Sequence, residues 1–252
     1  MAFKALNEFG KPADVSGIIV DEKGAQVAEF SSYHDGMGAF GFVPQAGRRY
    51  EARLTRPLAS DTPYPLPDIA VSGYSLRLQN RNEKSLQFAV SATGNGKAYL
   101  LGTSQDKPFF FREIEFGGQS SNQQVTVPVQ DLPMGIARFT LFDSEKNEQA
   151  ERLVFVNRDK GLDIEITTDK ERYLPREKVQ MDIKVRDHMG RPVQGRFSLA
   201  VADEKLLSFA DDKQGHILAS LLLEQDVKGK IEEPNFYFDP AEPKSARRSI
   251  TC

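Results

Sequence analysis

Residues 179–186 read Val-Gln-Met-Asp-Ile-Lys-Val-Arg, with apolar and polar side chains in strict alternation. Successive side chains of an extended chain point to opposite faces. The spacing therefore puts Val179, Met181, Ile183 and Val185 on one side and leaves the other wet, as in a half-buried β-strand. The same period recurs in both directions along the chain: Tyr50, Ala52 and Leu54; Leu86, Phe88 and Val90; Val125, Val127 and Val129; Phe197, Leu199 and Val201. Turn-forming clusters separate these runs, among them Asp21-Glu22-Lys23-Gly24, Gly94-Asn95-Gly96, Gly117-Gly118 and Met189-Gly190-Arg191-Pro192. Many short strands at such intervals predict an all-β fold of sandwiches or barrels.

Helical spacing is confined to residues 216–227, His-Ile-Leu-Ala-Ser-Leu-Leu-Leu-Glu-Gln-Asp-Val, where Ile217, Leu218, Leu221 and Leu222 are expected to share the buried face of a short helix. Asp211 and Asp212 precede it as residues suited to a helix start. The final residues, Ser245 to Cys252, carry no periodicity and are expected to be a disordered tail.

Hydrophobic residues make up 39% of the 252 positions and charged residues 27%, enough apolar material for packed cores. The net charge of −3 comes from interspersed acids and bases, which excludes a basic face for nucleic acid. Cys252 is the only cysteine, so neither an internal disulfide nor a thiolate zinc site can form. The first residues, Met1 to Val15, are too polar for a signal-peptide core, and no run approaches the ~20 apolar residues of a membrane helix. Either the protein is cytoplasmic or its leader has been removed.

The proline-rich stretch Arg56 to Pro67 is expected to be a linker, because its prolines remove donors that a central strand needs. A second boundary is expected at Asn157 to Gly161, after the strand-like run 151–156. Residues 7–24 resemble residues 187–205 in a Gly-Lys/Arg-Pro turn, a strand and an acidic end, which suggests modular repetition.

Motifs that could carry chemistry lack their required context. Gly36-Met37-Gly38-Ala39-Phe40-Gly41 matches the dinucleotide fingerprint, but Phe40 and Phe42 run into Pro44 where a phosphate-binding helix should begin. Those glycines are expected to serve a hairpin and a bulge. His34, His188 and His216 each sit alone among turn residues, with no zinc-type spacing, and only convergence in three dimensions would make a site of them. Asp203-Glu204 and Asp211-Asp212 fall in no calcium loop and are expected to cap helix starts. No serine elbow is present, and the terminal Cys252 cannot be held against a base. The aromatics Phe109, Phe110, Phe111 and Phe116 are expected to be buried rather than to form a sugar platform. The sequence thus assigns no catalytic, cofactor-binding or metal-ligating residue.

Residues 169–209 resemble the macroglobulin (MG) domains of the alpha-2-macroglobulin family: a Tyr-x-Pro turn, a strand, a Gly-x-Pro turn, a strand, then Val-x-Asp-x-x-Leu-Leu. The resemblance rests on Tyr173, Pro175, Val179, Gly190, Pro192, Leu199, Val201, Asp203, Leu206 and Leu207. Arg176 departs from it, since the family usually has glycine there. Residues 36–52, 132–156 and 210–240 are similar to segments of large Bacteroidetes-type cell-envelope proteins that contain an MG2-like domain. The resemblance implies tandem antiparallel β-sandwich domains, fibronectin type III or immunoglobulin-like in kind, with one short helix near the C-terminus. The expected division is a partial MG-like sandwich lacking its N-terminal strands at 1–60, an MG-like sandwich at 61–158, an MG2-like sandwich with the helix at 159–240, and a disordered tail at 241–252. It further implies a non-catalytic structural or interaction fragment of a periplasmic, outer-membrane-associated or secreted protein, whose partner would be a protein such as a protease or an outer-membrane component. No cofactor is expected. An endopeptidase-inhibitor segment and a glycan- or protein-binding adhesin module are the alternatives. The thioester motif on which protease trapping depends in the family is absent from these 252 residues.

Overall fold

The structure, a computed structural model, describes residues 1–60, 62–118, 120–201, 217–225, 227, 231 and 233–238. These residues form tandem antiparallel β units followed by one short helix. In the first unit, β1 (Ala2–Lys4), β2 (Ser16–Asp21), β3 (Gln26–His34), β4 (Met37–Ala39), β5 (Tyr50–Arg56) and β6 (Tyr64–Pro65) make one sheet in the order β1-β4-β3-β2-β5-β6. β3 serves both halves. Its residues Gln26 to Ser31 pair with β2, and Ser32 and His34 pair with β4 with a register break between them. The core gathers Ile19, Phe30 and Tyr50 with Phe3 and Phe40, and the Phe3 ring meets Phe30 edge-on at 5.1 Å. The proline-rich stretch 56–67 is not wholly a linker. It supplies β6, and the Leu66 N–H donates to the Tyr50 carbonyl at 2.9 Å. Proline is tolerated there because β6 is the edge of the sheet, where a missing N–H breaks no ladder.

The second unit is a seven-stranded sandwich. β7 (Tyr74–Arg81), β8 (Ser85–Thr93) and β11 (Ser120–Pro128) form a sheet in the order β11-β8-β7. It faces a four-stranded sheet of β9 (Gly96–Ser104), β10 (Lys107–Phe116), β12 (Gly135–Phe142) and β13 (Glu148–Val156), ordered β10-β9-β12-β13. This three-plus-four arrangement is immunoglobulin-like, the architecture that fibronectin type III modules share. Alternation decides what goes inside. Leu86, Phe88 and Val90 of β8 and Val125 and Val127 of β11 meet Leu100, Phe139 and Leu141 of the opposing sheet.

β13 ends in the continuous apolar run Leu153-Val154-Phe155-Val156, all buried. Such a run marks a strand covered on both faces. Val154 and Val156 enter the sandwich core. Leu153 and Phe155, with Ile136 of β12, point the other way and are covered by the C-terminal segment through Leu223, Val227 and Tyr237. That segment comprises α1 (Ile217–Ala219), a π-helical turn over Ser220–Glu224 and a 3-10 turn over Pro234–Tyr237. The short helix therefore packs on the second unit, not on the third as expected. Its buried stripe is Ala219, Leu223 and Val227, spaced by four, whereas Ile217 and Leu221 are exposed. That stripe lies one residue round from Leu218 and Leu222, so the leucine-rich face is not the face that docks. Leu222 packs at its margin.

The third unit is a two-stranded hairpin of β14 (Asp163–Thr168) and β15 (Met181–Arg186). Residues 196–201, expected as a strand, make no ladder among the described residues. Beyond β15 the chain returns through a bridge, Arg186 to Pro192, and the Val193 N–H donates to the Val185 carbonyl, with no further pairing among the described residues. Alternation states a preference for one wet face; it supplies no partner strand. The segments 202–216 and 239–252, with Asp203, Glu204, Leu206, Leu207, Asp211, Asp212, His216 and Cys252, lie outside the described residues.

One turn recurs through the chain and explains its internal similarity. At Asn7, Asp21, Asp143 and Asp187 the side-chain Oδ1 accepts the N–H groups of the residues two and four further on. The residue three further on is left-handed in each, Gly10, Gly24, Lys146 and Gly190, with φ between 69° and 80°. The matching Gly-Lys-Pro and Gly-Arg-Pro turns go further: each closes on its proline through a bridge, Leu6 to Pro12 and Arg186 to Pro192. The three aspartates are held below the ordinary carboxylate range by those hydrogen bonds, chiefly from the N–H groups of Ala25, Asn147 and Arg191.

A folded pKa below the unfolded one means that protonation favours the unfolded chain. The stabilisation is complete above the unfolded value, about pH 4, and is lost as the pH falls through the folded values. The melting temperature is therefore expected to be flat from about pH 7 to about pH 5 and to decline below about pH 4. Asp143→Asn keeps an acceptor, as Asn7 does, and removes the titration; thermal melts across that range should show a shallower decline. An unchanged acid slope in the variant would rule this carboxylate out as a contributor.

Candidate functional site

Gly36 to Gly41 forms no phosphate-binding loop. Asp35 and Gly36, with φ of 44° and 70°, make the two-residue turn between β3 and β4, where the sequence Asp-Gly suits left-handed backbone at both positions. The Gly36 N–H donates to Asp14 Oδ1 at 2.9 Å and its carbonyl accepts the Ala5 N–H at 2.8 Å. Phe40 then turns into the core against Phe3, Phe30 and Phe42.

This turn delivers His34 to a place that sequence spacing does not show. Its side chain is only 14% exposed and stacks on Phe236 of the C-terminal segment, with ring centroids 3.8 Å apart and planes 7° from parallel. The imidazole Nε2 lies 3.5 Å from Asp35 Oδ2 and 3.4 Å from Glu233 Oε2. Nε2 is shielded from solvent and makes no hydrogen bond. The one histidine–carboxylate group of this kind among the described residues, His34, Asp35 and Glu233, holds its donor atoms within 4.8 Å of one another. Glu233 also heads the 3-10 turn, whose Phe236 N–H donates to its carbonyl at 2.9 Å. His188, in contrast, is exposed on the Asp187 turn, as expected for a turn residue.

The aromatic run divides. Phe109 and Phe110 pack against the sandwich core and Phe116 is buried, but Phe111 is 64% exposed and stacks on Tyr99, with centroids 5.9 Å apart. Phe111 and Tyr99 are diagonal neighbours on adjacent strands, where aromatic side chains reach one another on the outer face of a sheet.

The third unit leaves several large apolar side chains exposed. Ile164 and Ile166 of β14 are both more than half exposed, and so are Phe197, Leu199 and Val201 in the segment beyond β15. The loop between β14 and β15 is nonetheless ordered by specific contacts. Tyr173 Oη donates to Asp169 Oδ1 at 2.6 Å and accepts the Lys170 N–H at 2.9 Å, and Lys170 pairs with Glu177. The Glu177 N–H donates to the Leu174 carbonyl, closing a turn with Pro175 second and Arg176 third at φ 67°. Proline followed by a left-handed residue defines a type II turn, which glycine would fit better than arginine.

Among the described residues no helix is long and apolar enough to cross a membrane. Comparison with protein-family models gave no match, and comparison with curated proteins gave none either.

Proposed function

We propose that this chain is a non-catalytic structural and interaction module of a macroglobulin-like bacterial cell-envelope protein, acting as a string of β spacers that presents a surface to a protein partner. The carrying observation is the third unit. Two strands alone are marginal in water, and among the described residues no further strand pairs with β14–β15, while Ile164, Ile166, Phe197, Leu199 and Val201 stand exposed. Exposed apolar patches with free strand edges are the usual substrate for pairing with another β surface. The Tyr173–Pro175 turn adds support. Its hydroxyl donates to Asp169 Oδ1, which also accepts the Gln180 N–H from the far end of the loop, and the left-handed backbone at Arg176 falls where the MG pattern has glycine.

The test is site-specific photo-cross-linking in the native cell, with the cross-linker at Ile166, at Phe197 and, as an exposed control in the first unit, at Leu58. Discrete cross-linked species at Ile166 and Phe197, and none at Leu58, are expected. Protein that stays uncross-linked at all three positions would overturn the interaction role.

A further inference from the structure

The β3–β4 turn and the C-terminal segment come from opposite ends of the chain, yet they bring one imidazole nitrogen and two carboxylate oxygens within 4.8 Å of one another. We propose that His34, Asp35 and Glu233 form a binding site for a divalent first-row transition ion of the zinc class, which fastens the C-terminal segment to the first sheet.

The spacing argues for a shared ion over direct contact. Nε2 stands 3.4 Å and 3.5 Å from the two carboxylate oxygens, beyond the ~2.9 Å typical of an N–H···O bond. Zinc takes imidazole nitrogen and carboxylate oxygen at about 2.0–2.2 Å, so neighbouring ligands around a tetrahedral ion lie roughly 3.3–3.5 Å apart. The observed separations fall on that edge length. A nitrogen closed off from solvent with no hydrogen bond is costly to bury, and coordination gives its lone pair a partner. The donor set, one nitrogen with two oxygens, suits zinc and its neighbours better than calcium or magnesium, which select oxygen throughout.

The ligands are also held in place. Gly36 is fastened by Asp14 and Ala5, Phe236 stacks on the imidazole, and Glu233 is fixed at the head of the 3-10 turn. Asp35 and Glu233 each keep a third of their side-chain surface exposed, so an ion can reach their oxygens from solvent. Because Tyr237 and Phe238 of the same segment pack against the β12–β13 face, an ion here would tie the first unit to the second.

The experiment uses the full chain, stripped with chelator and titrated with zinc sulfate by calorimetry, with thermal melts in parallel. One zinc per chain and a raised melting temperature are expected. His34→Ala and Glu233→Gln should each weaken binding by about tenfold or more, and His188→Ala, on its exposed turn, should leave it unchanged. Glu233→Gln preserves shape and the backbone turn, so its loss reads coordination without a folding defect; circular dichroism checks this. Magnesium chloride at the same concentrations should give no saturating heat. Wild-type protein that takes up no zinc, variants that bind as well as wild type, or magnesium binding as tight as zinc would each overturn the site. A histidinium paired with two carboxylates, which needs no ion, predicts the first of these results.

Discussion

Phe139→Ala is expected to destabilise the second unit by about 3–5 kcal/mol, the range for removing a fully buried phenylalanine. Phe139 lies mid-strand on β12 with no exposed surface, between Gly102 on β9 and Arg152 on β13. Its ring centroid is 4.6 Å from Phe88 of the opposing sheet and 5.9 Å from Phe109, which approaches edge-on. The surroundings cannot collapse into the space it leaves. A Cβ built at Gly102 would already stand 3.0 Å from the Phe109 ring, and both neighbouring strands are pinned in register. The loss should therefore include a cavity penalty as well as the lost burial. Urea titration of the full chain would read it as a lower midpoint with little change in slope, and melting as a fall of about 10 °C or more. Phe139→Leu, which keeps most of the apolar volume, should lose less. A shift below about 1 kcal/mol for the alanine variant would mean that the two sheets do not pack through this ring.

The second unit was legible because alternation and topology agree there. Leu86, Phe88, Val90, Val125 and Val127 have a facing sheet, so every residue marked apolar by period two has somewhere to go. The third unit shows the limit of that inference. Phe197, Leu199 and Val201 alternate as cleanly, but among the described residues no strand pairs with them, and they remain exposed. Residues 153–156 mark the opposite case. A continuous apolar run says that both faces are covered without naming the cover, and the cover proved to be Leu223, Val227 and Tyr237 from a distant segment. The helix was anticipated, its docking face was not. Docking follows the complementary surface of Ile136, Leu153 and Phe155, which favoured the small Ala219 and the residues spaced four beyond it.

The histidine cluster was illegible for a related reason. Metal-ligand motifs are recognised when ligands share a local element with fixed spacing, and Asp35 and Glu233 share none. The available signal was the Asp35-Gly36 dipeptide, which marks a tight hairpin turn and thereby fixes where His34 stands, at the end of β3 beside the turn. What lies against that turn is a tertiary fact. The recurrent Asx turns were partly readable, since the shared Gly-Lys/Arg-Pro spelling already linked residues 7–12 with 187–192. Their common cause, a side-chain acceptor serving two backbone donors, needed the hydrogen bonds.

Gly36→Ala is expected to cost on the order of 3 kcal/mol, and the argument separates into two parts that a second variant can divide. The first part is conformational: at φ 70° an L-residue meets its own carbonyl, at roughly 1–2 kcal/mol. The second is packing. The added Cβ would stand 2.3 Å from the Ala5 carbonyl oxygen and 2.9 Å from that of Ala13, both backbone atoms that cannot rotate aside. Gly24 offers the comparison, because its φ is 80° and a Cβ there meets nothing within 4 Å. Gly24→Ala should therefore carry only the conformational part, about 1 kcal/mol. Urea titrations of both variants should place Gly36→Ala clearly below Gly24→Ala, and equal losses would show that the β3–β4 turn is not seated against the β1 loop. The same seating fixes Asp35 and His34, so Gly36→Ala should also weaken zinc uptake in a chain that still folds, while Gly24→Ala leaves it intact. Loss of stability without loss of zinc affinity would separate the turn's packing from the proposed metal site.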